Sequence, residues 1–525
     1  MDLKKVFIAT ALTVPMALSS CGNPATQNEA ELTPFISTDY NAVIEMIDKI
    51  SVADLTTEKF AEDAYIAYCT LDDSVKDKVS NIDKLQEYRN EITKLYHTEE
   101  KRGDRIDRSK LLISTYYFGQ ELWNDEDVKK LKDCGIDFVI GANYDTQLLD
   151  LFEKHGIGAF ISYLPSWFGQ EATHGQLVEK IPAGSFVPYA EKFVDHPAIW
   201  ALDICDELGS LDIPHLNVLL KEAEELFPGK LVYINLYPNY GASWRLLNKP
   251  YQEHLNYYVE QVETDYISYD HYFYWHFDSD ADAYFVDNLK AAQNAAKKDG
   301  RDMWIVLQAN TVQQDKVSDK KLSTEQLRYQ AYGSLAFGVQ ELSWACWTPG
   351  WWKNNVYENG QYTEQYDKLK TVNTELKNLS PIYMRYKCLD TEFISTTLSA
   401  TVELTKQKID YLFKKQSDGV LEQSTLIDIK AEKNSSILLG SFEKRAGNGT
   451  AFMFTNVTDF HCTEESQTMD SWVKFKVKDK NVQLTAYTHN DAYVLSPDAN
   501  GEYEIYIPNG EGIFVTVDNI ETTAE

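Results

Sequence analysis

The chain has 525 residues, more than one hydrophobic core usually supports, so two or three domains are expected. Its 50 basic and 81 acidic residues give a formal net charge of −31, which repels nucleic acid and anionic lipid surfaces and argues against nucleic acid as a partner. Hydrophobic residues make up 43% and charged residues 25%, which is typical of a folded globular protein rather than a disordered one. Aromatic residues are abundant, at 13% of the chain.

The first residues have the pattern of a targeting segment. Lys4 and Lys5 precede the apolar run "VFIATALTVPMAL", which is too short to span a bilayer as a helix. The following "LSSC" resembles the lipobox of bacterial lipoproteins, in which the cysteine is lipidated. We therefore expect a signal peptide over 1–20, lipidation at Cys21, a polar tether over 21–36, and a lipid-anchored location in the bacterial cell envelope, on the periplasmic or the surface side of the outer membrane. The alternative is an ordinary signal peptide with a chance cysteine.

Residues 37–109 are predicted to form a helical segment that ends in a charged linker. Apolar residues recur there at helical spacing. One face carries Val43, Met46, Ile47 and Ile50, and another carries Ile82, Leu85, Tyr88, Ile92 and Leu95.

Residues 110–385 alternate short apolar runs with amphipathic helices. The eight runs are "LLISTYYFG", "IDFVIGA", "IGAFISYLP", "IWALDICDE", "LVYINLYP", "DYISYDHYF", "DMWIVLQAN" and "VQELSWACWTP". Eight strand–helix units in about 275 residues predict a (β/α)₈ barrel of the TIM type, an α/β fold. An open doubly wound sheet is the alternative, but no glycine-rich phosphate loop follows the first strand.

Residues 386–525 lose the helical period. Short strands such as "SILLGSF", "AFMFTNV" and "GIFVTV" are separated by turn residues, which predicts a C-terminal β-sandwich. Six cysteines beyond Cys21 are scattered without metal-ligand spacing, so we expect buried thiols, no disulfide framework, no metal and no cofactor.

Two adjacent carboxylates, Asp206 and Glu207, close the predicted fourth barrel strand. In such barrels the reactive face is built at the carboxyl ends of the strands. Buried carboxylates are costly unless they are solvated or used, so Glu207 is a candidate functional residue. Asp206 also suits a helix cap or a salt bridge at the rim.

Tryptophans are concentrated in the loops of the same predicted face. Their flat rings pack against the C–H faces of sugars, which favours a carbohydrate partner, although two or three could simply plug the barrel mouth. The seven are Trp123, Trp167, Trp244, Trp275, Trp347, Trp351 and Trp352.

The barrel, the acidic end of strand four and the appended sandwich resemble the retaining glycoside hydrolases of the large barrel clan that includes β-galactosidases and cellulases. In that clan the strand-four glutamate is the general acid/base and usually follows an asparagine. The resemblance therefore implies that role for Glu207, with Asp206 in place of the asparagine. At the end of strand seven, where the clan has its nucleophilic glutamate, this chain has Gln308.

Strand six offers a second carboxylate in Asp270, which lies beside His271 and Tyr272. Glycoside hydrolysis needs two carboxyl groups at the scissile bond. We therefore expect Glu207 to be the proton donor and Asp270 to be the base or the nucleophile. The competing interpretation is that Asp270 binds sugar hydroxyls.

Polar and aromatic residues that end the other strands are expected to contact substrate, since amides and phenols suit neutral hydroxyl-rich ligands. Glu341, early in strand eight, and Asp203, in the middle of strand four, are expected to be structural. The predicted contact residues are Tyr116, Asn143, Trp167, Asn235, Tyr237, His271, Tyr272, Gln308, Trp347 and Trp351, with Asp206.

These features together predict a lipid-anchored glycoside hydrolase acting on oligo- or polysaccharides. A non-catalytic glycan-binding lipoprotein on a degenerate barrel is the first alternative, because of Gln308. A purely structural envelope protein is the second, but it would not explain the tryptophans and amides at the rim.

Overall fold

The fold is known from a computed structural model, which describes most of the chain between residues 37 and 519. The described residues are 37–143, 145–162, 181–246, 249–272, 274, 281–312, 321–348, 352–353, 355–395, 425–432, 435–459, 462 and 469–519. The predictions made for Cys21, Trp167, Trp275 and Trp351 lie outside these ranges. Within the same ranges, no helix has both the length and the apolar character needed to cross a membrane.

Four helices lie between residue 37 and the first barrel strand. Asp39 caps the first of them by accepting a hydrogen bond from the Ala42 amide at 3.1 Å. Ile47, Leu85 and Ile92 are fully buried between these helices and the rest of the chain. The four helices are α1 (Tyr40–Lys49), α2 (Glu58–Cys69), α3 (Asp73–Lys76) and α4 (Ile82–Lys94).

Eight parallel strands close into a barrel, as the sequence predicted. Sequential strands are neighbours throughout, and the first strand pairs with the eighth, so the sheet has no free edge. The barrel strands are β1 (Leu112–Tyr116), β2 (Phe138–Ala142), β3 (Gly158–Ser162), β4 (Ile199–Leu208), β5 (Leu231–Leu236), β6 (Tyr266–His271), β7 (Asp302–Gln308) and β9 (Glu341–Ala345).

The described helices that follow the barrel strands cover its outer surface. Ser323 and Gln326 form a capping box at one helix start, and Gly156 ends another in the left-handed conformation. These helices are α5 (Asp125–Asp133), α6 (Thr146–His155), α7 (Val187–Phe193), α8 (Ile213–Leu226), α9 (Tyr251–Gln261), α10 (Ala281–Ala296), α11 (Thr324–Leu335) and α12 (Glu364–Tyr383). Short 3₁₀ helices span Gln120–Leu122 and Ser243–Leu246.

Aromatic rings fill the barrel interior at the amino-terminal ends of the strands. Phe138 stacks on Phe160 with ring centroids 4.1 Å apart, and Tyr266 stacks on Trp304 at 4.5 Å. The rings close this end of the barrel interior. Glu341 is buried inside the barrel, where its Oε1 accepts a hydrogen bond from Ser114 Oγ at 2.6 Å.

The C-terminal part consists of antiparallel sheets, in agreement with the predicted β-sandwich. One sheet has six strands in the order β13-β15-β16-β21-β18-β19, and the other has three in the order β14-β17-β20. Their strands are β13 (Tyr386–Ser395), β14 (Leu426–Ala431), β15 (Ser436–Lys444), β16 (Thr450–Asn456), β17 (Ser471–Val477), β18 (Val482–Tyr487), β19 (Ala492–Leu495), β20 (Tyr503–Ile507) and β21 (Gly512–Asn519). Two-residue strands lie near the barrel mouth at β8 (Thr311–Val312), β10 (Trp352–Lys353), β11 (Tyr357–Glu358) and β12 (Gln361–Tyr362).

A buried ion-pair network joins the helical segment, the barrel and the sandwich. Glu62 of α2 accepts two hydrogen bonds from Arg89, at 3.0 and 3.1 Å, and lies 2.9 Å from the guanidinium of Arg385. Tyr487 of the sandwich donates to the same carboxylate at 3.2 Å. Both arginines are fully buried, so the three parts of the protein share one charged contact.

Candidate active site

An irregular pairing in β4 brings its carboxylates to the inside of the barrel. Asp203 points inward, where its Oδ2 accepts a hydrogen bond from Ser162 Oγ at 2.8 Å. The pairing of β4 with β5 then shifts between Asp203 and Cys205, and again before Leu208. In a regular strand the side chains alternate, so Asp206, three residues after Asp203, would point outward. The shift puts one extra residue into β4 relative to β5, and this turns Asp206 inward. Glu207 follows in the left-handed region, with φ of 52°.

One amide bridges two of the carboxylates. Asn235 Nδ2 donates to Asp206 Oδ1 at 3.1 Å and to Asp270 Oδ1 at 3.0 Å. Ser268 donates to Asn235 Oδ1 at 3.1 Å, which orients the amide so that its nitrogen faces the acids. The side chains of β4 and β6 therefore meet across β5, at the carboxyl-terminal end of the barrel. We call the group formed by Asp203, Asp206, Glu207 and Asp270 the carboxylate cup.

The cup raises the pKa of its buried members. Burial raises the pKa of Asp270 well above its ordinary value, and the negative charges of Glu207 and then Asp206 raise it further. The hydrogen bond from Asn235 opposes this shift without cancelling it. Burial also raises the pKa of Asp203 to about 8, against the effect of Ser162 and with a further contribution from Asp206. Both carboxyl groups consequently hold their protons to higher pH than an ordinary aspartic acid does.

Tyrosines surround the cup. Tyr116 contacts Tyr233 through their hydroxyl groups at 3.2 Å, and the Tyr240 hydroxyl accepts a hydrogen bond from the Tyr272 amide at 3.0 Å. Burial, followed by the charges of Asp270 and Glu207, raises the pKa of Tyr240 well above its ordinary value. The neighbouring Tyr117 has a positive φ of 59° and stands edge-on to Tyr116.

The structure thus brings together six of the predicted site residues: Glu207, Asp270, Asp206, Asn235, Tyr116 and Tyr272. Sequence reasoning did not single out Tyr240, Tyr233, Ser268 and Ser162. The two-residue period of strands could have identified Ser268 and Tyr233, since each lies two positions before a predicted inward residue.

His271 lies on the opposite face of β6 from the cup, contrary to the expectation that it contacts substrate. Its Nδ1 is 3.3 Å from Asn288 Oδ1 on α10, and its ring packs against Phe285. Burial lowers the pKa of His271 to about 4 although Asn288 opposes the shift, so the ring is neutral at neutral pH. The reason is strand alternation: if Asp270 points inward, its neighbour points outward.

Trp347 and Gln308 are also occupied by protein contacts. Trp347 is fully buried and meets Tyr366 edge-on at 6.0 Å, so it belongs to the core and does not form a wall of the cup. The Gln308 side chain accepts a hydrogen bond from the Tyr274 amide at 2.8 Å and donates to the Asn310 carbonyl at 2.7 Å. Both residues therefore support the rim from within, and their predicted contact with substrate is not supported by these positions.

The remaining predicted residues lie apart from the cup or outside the described chain. Tyr237 is buried and its hydroxyl contacts Arg245, whose guanidinium also lies 4.7 Å from the ring. Asn143 is exposed beyond the end of β2. The structure does not describe Trp167 and Trp351.

One group of described side chains on the outer surface has the spacing of a metal site, namely Asp150, Glu153 and His196. His196 Nδ1 accepts a hydrogen bond from the Ala198 amide at 3.2 Å, and Nε2 faces Asp150 at 3.3 Å. A metal ion bound at Nε2 would require the ring proton to be on Nδ1. Nδ1 would then be a donor facing the Ala198 amide, which is also a donor. The donor set therefore does not fit a metal ion.

Comparisons with known proteins extend the description of the fold. No protein-family model and no curated protein matches the sequence. Among solved structures, the chain is similar to Gan42B, a GH42 β-galactosidase from G. stearothermophilus, in both its unmutated form and a catalytic mutant. Each match has a TM-score of 0.50 and 10% identity, and covers 80% of this chain and 100% of that one.

This chain and Gan42B share a fold. A family 39 glycoside hydrolase from Bacteroides cellulosilyticus WH2 is also similar, with a TM-score of 0.42, 10% identity, and coverage of 79% of this chain and 82% of that one. The likeness to Gan42B shows that the two chains share the architecture of the barrel. At this identity, any assignment of substrate or catalytic residues has to come from the geometry of the cup.

Proposed function

We propose that this protein is a glycoside hydrolase that cleaves glycosidic bonds of oligo- or polysaccharides with the carboxyl groups of Glu207 and Asp270. The observation that carries the proposal is that Glu207 of β4 and Asp270 of β6 lie close enough, at the carboxyl-terminal end of the barrel, for the charge of Glu207 to raise the pKa of Asp270. Tyrosine rings beside them offer flat surfaces for sugar packing. The β-galactosidase Gan42B, which shares the fold, is consistent with this chemistry.

The chemistry needs one carboxylic acid and one carboxylate. The acid protonates the oxygen of the leaving group, while the carboxylate attacks the anomeric carbon or activates a water molecule. The resemblance to the clan favours Glu207 as the acid. The electrostatics of the cup favour Asp270, because burial and the charges of Glu207 and Asp206 raise its pKa.

Hydrolysis of a panel of aryl glycosides tests the proposal and separates the two roles. Glu207→Gln and Asp270→Asn are each expected to reduce turnover of substrates with poor leaving groups by about 10²–10⁴-fold while binding persists. The variant that lacks the acid should regain most of its rate with a strongly activated leaving group, which needs no protonation. The variant that lacks the other carboxylate should stay slow with the activated leaving group as well.

Asp150→Asn, on the exposed surface of α6, is a matched control that should keep the wild-type rate. Near wild-type turnover by Glu207→Gln on poor leaving groups would contradict the assignment of Glu207 to the pair. Sugar binding by the wild type without any product would instead favour the second candidate, a glycan-binding protein. The observation behind that candidate is Gln308, whose amide is held by backbone groups where a nucleophilic glutamate would stand in the clan.

We also propose that Cys21 carries a lipid that anchors the protein in the cell envelope. The support is the "LSSC" pattern after a short apolar run. Metabolic labelling with a radioactive fatty acid should mark the wild type and leave Cys21→Ser unlabelled. Equal labelling of both forms would contradict the anchor.

A further inference from the structure

Neighbouring carboxylates act on two acids of the cup, Asp203 and Asp270. The charge that affects Asp203 is that of Asp206, and the charges that affect Asp270 are those of Glu207 and Asp206. Each of them raises a pKa, so the acids repel one another. A ligand that carries positive charge would relieve this repulsion.

A second observation concerns one oxygen atom. Asp270 is only 2% exposed, and its Oδ1 is held by Asn235. Its Oδ2 is buried and makes no hydrogen bond with any described residue. A buried carboxyl oxygen without a partner is costly, so a bound molecule that forms a hydrogen bond with Asp270 Oδ2 would be stabilised here.

The walls of the cup also suit a cation. Four partly exposed tyrosines lie close to the acids. Burial raises the pKa values of these tyrosines most, and the negative charges of the acids raise them further. The four are Tyr116, Tyr117, Tyr240 and Tyr272. The faces of tyrosine rings attract ammonium groups and also pack against sugar rings.

From these observations we infer that the cup selects a sugar bearing a free ammonium group, that is, a deacetylated amino sugar. The ammonium group would donate to Asp270 Oδ2 and lie among the carboxylates of β4. This inference rests on the proposed function, because it names the substrate class of the same cup. A free ammonium group offers both the charge and the hydrogen-bond donors that the described residues do not supply.

Binding of such a sugar should release protons. Asp203 and Asp270 hold their protons to higher pH than ordinary aspartic acids, and a nearby ammonium charge lowers their pKa values. Affinity for the ammonium sugar should therefore rise with pH until the amine itself loses its proton. The titratable groups facing these acids in the described structure are Asp206, Glu207, Tyr116, Tyr117, Tyr233, Tyr240, Tyr272, Cys205 and Cys346.

Calorimetric titration of the full chain with chitosan oligosaccharides tests the inference. Chitin oligosaccharides of the same length and linkage are the matched neutral control, since they differ only in the N-acetyl groups. We expect affinity for chitosan oligosaccharides to exceed that for chitin oligosaccharides by about tenfold or more. Titration in two buffers with different enthalpies of ionisation should show proton release with the chitosan oligosaccharides alone.

Asp203→Asn keeps the side-chain shape and an oxygen that can accept the hydrogen bond from Ser162, while it removes one carboxyl group. It should weaken binding of chitosan oligosaccharides and reduce the number of protons released. Equal affinity for the two oligosaccharide series, or tighter binding of chitin oligosaccharides, would overturn the inference. So would displacement of chitosan oligosaccharides by calcium chloride at constant ionic strength, because the cup would then be a metal-ion site.

The two proposals fail in different ways. Hydrolysis of neutral aryl glycosides without preferential binding of chitosan oligosaccharides would overturn the inference and leave the proposed function standing. Tight binding of chitosan oligosaccharides with proton release but without products would support the inference and contradict the hydrolase.

Discussion

The replacement Glu62→Gln should destabilise the whole protein, because it removes the carboxylate that pairs with Arg89 and one of the two carboxylates that pair with Arg385. Burial alone would raise the pKa of Glu62, but the charges of Arg89 and then Arg385 outweigh it and lower the pKa from 4.5 to about 2. Glutamine keeps the shape of the side chain, takes the paired carboxylate away from the buried Arg89, and leaves the buried Arg385 paired with Glu58.

The pKa shift sets the size of the effect. A shift of one unit corresponds to about 1.4 kcal/mol, so the carboxylate contributes about 3 kcal/mol to the free energy of unfolding. Loss of one partner from a buried ion pair typically costs about 3–5 kcal/mol, which agrees. Because the pKa is lowered in the folded state, this stabilisation is present above pH 4.5 and is lost as the pH falls towards 2.

Urea denaturation followed by tryptophan fluorescence and circular dichroism at pH 7 and at successively lower pH measures the effect. The variant should unfold at lower urea at pH 7, and the difference from the wild type should shrink below pH 4.5. Asp63→Asn, in the same helix, is the matched control: its partner Lys59 is 74% exposed, and such exposed pairs contribute about 0.3–0.5 kcal/mol. Equal midpoints for Glu62→Gln and the wild type at pH 7 would refute the reasoning.

Three further changes have defined outcomes. Asn235→Ala removes a hydrogen bond that lowers the pKa of Asp270, so the pH profile of kcat/KM should move to higher pH, and an unchanged profile would rule out Asp270 as a titrating group. Gln308→Glu places a carboxylate oxygen against the backbone carbonyl to which the amide now donates; a loss of about 1–3 kcal/mol in urea unfolding and no gain in hydrolysis are expected, whereas a faster enzyme would contradict this. Gly158→Ala would put a Cβ atom 2.3 Å from the ring of Trp200, so thermal unfolding should reveal a loss of about 1–3 kcal/mol, and an unchanged midpoint would mean that the ring can move aside.

The barrel was predictable because each strand is a short run of apolar residues followed by a helical pattern. "IDFVIGA" and "LVYINLYP", for example, became β2 and β5. The β-sandwich was predictable for a similar reason, since its strands alternate between turn residues. The ion-pair network was not, because Glu62, Arg89 and Arg385 are far apart in sequence and ordinary charged residues in composition.

The site was only partly predictable. Asp206 and Glu207 were found from their place at the end of a strand, but the shift in pairing that turns Asp206 inward depends on β5 and leaves no signal in β4 itself. Strand alternation could have excluded His271 as a substrate contact once Asp270 was assigned to the inner face of β6. Trp347 follows a strand just as a rim residue would, and only the packing of Tyr362 and Tyr366 around it reveals that it is buried.

The irregular pairing of β4 has a consequence for engineering. The direction of its acidic side chains depends on how many residues lie between Ile199 and Leu208, as well as on which residues they are. A change that made this segment pair regularly with β5 at its present length would preserve every carboxyl group and yet turn Asp206 towards the helical shell. Chimeras and loop grafts in this barrel must therefore keep both the length of that segment and its irregular pairing, because spacing there is as much a part of the chemistry as composition.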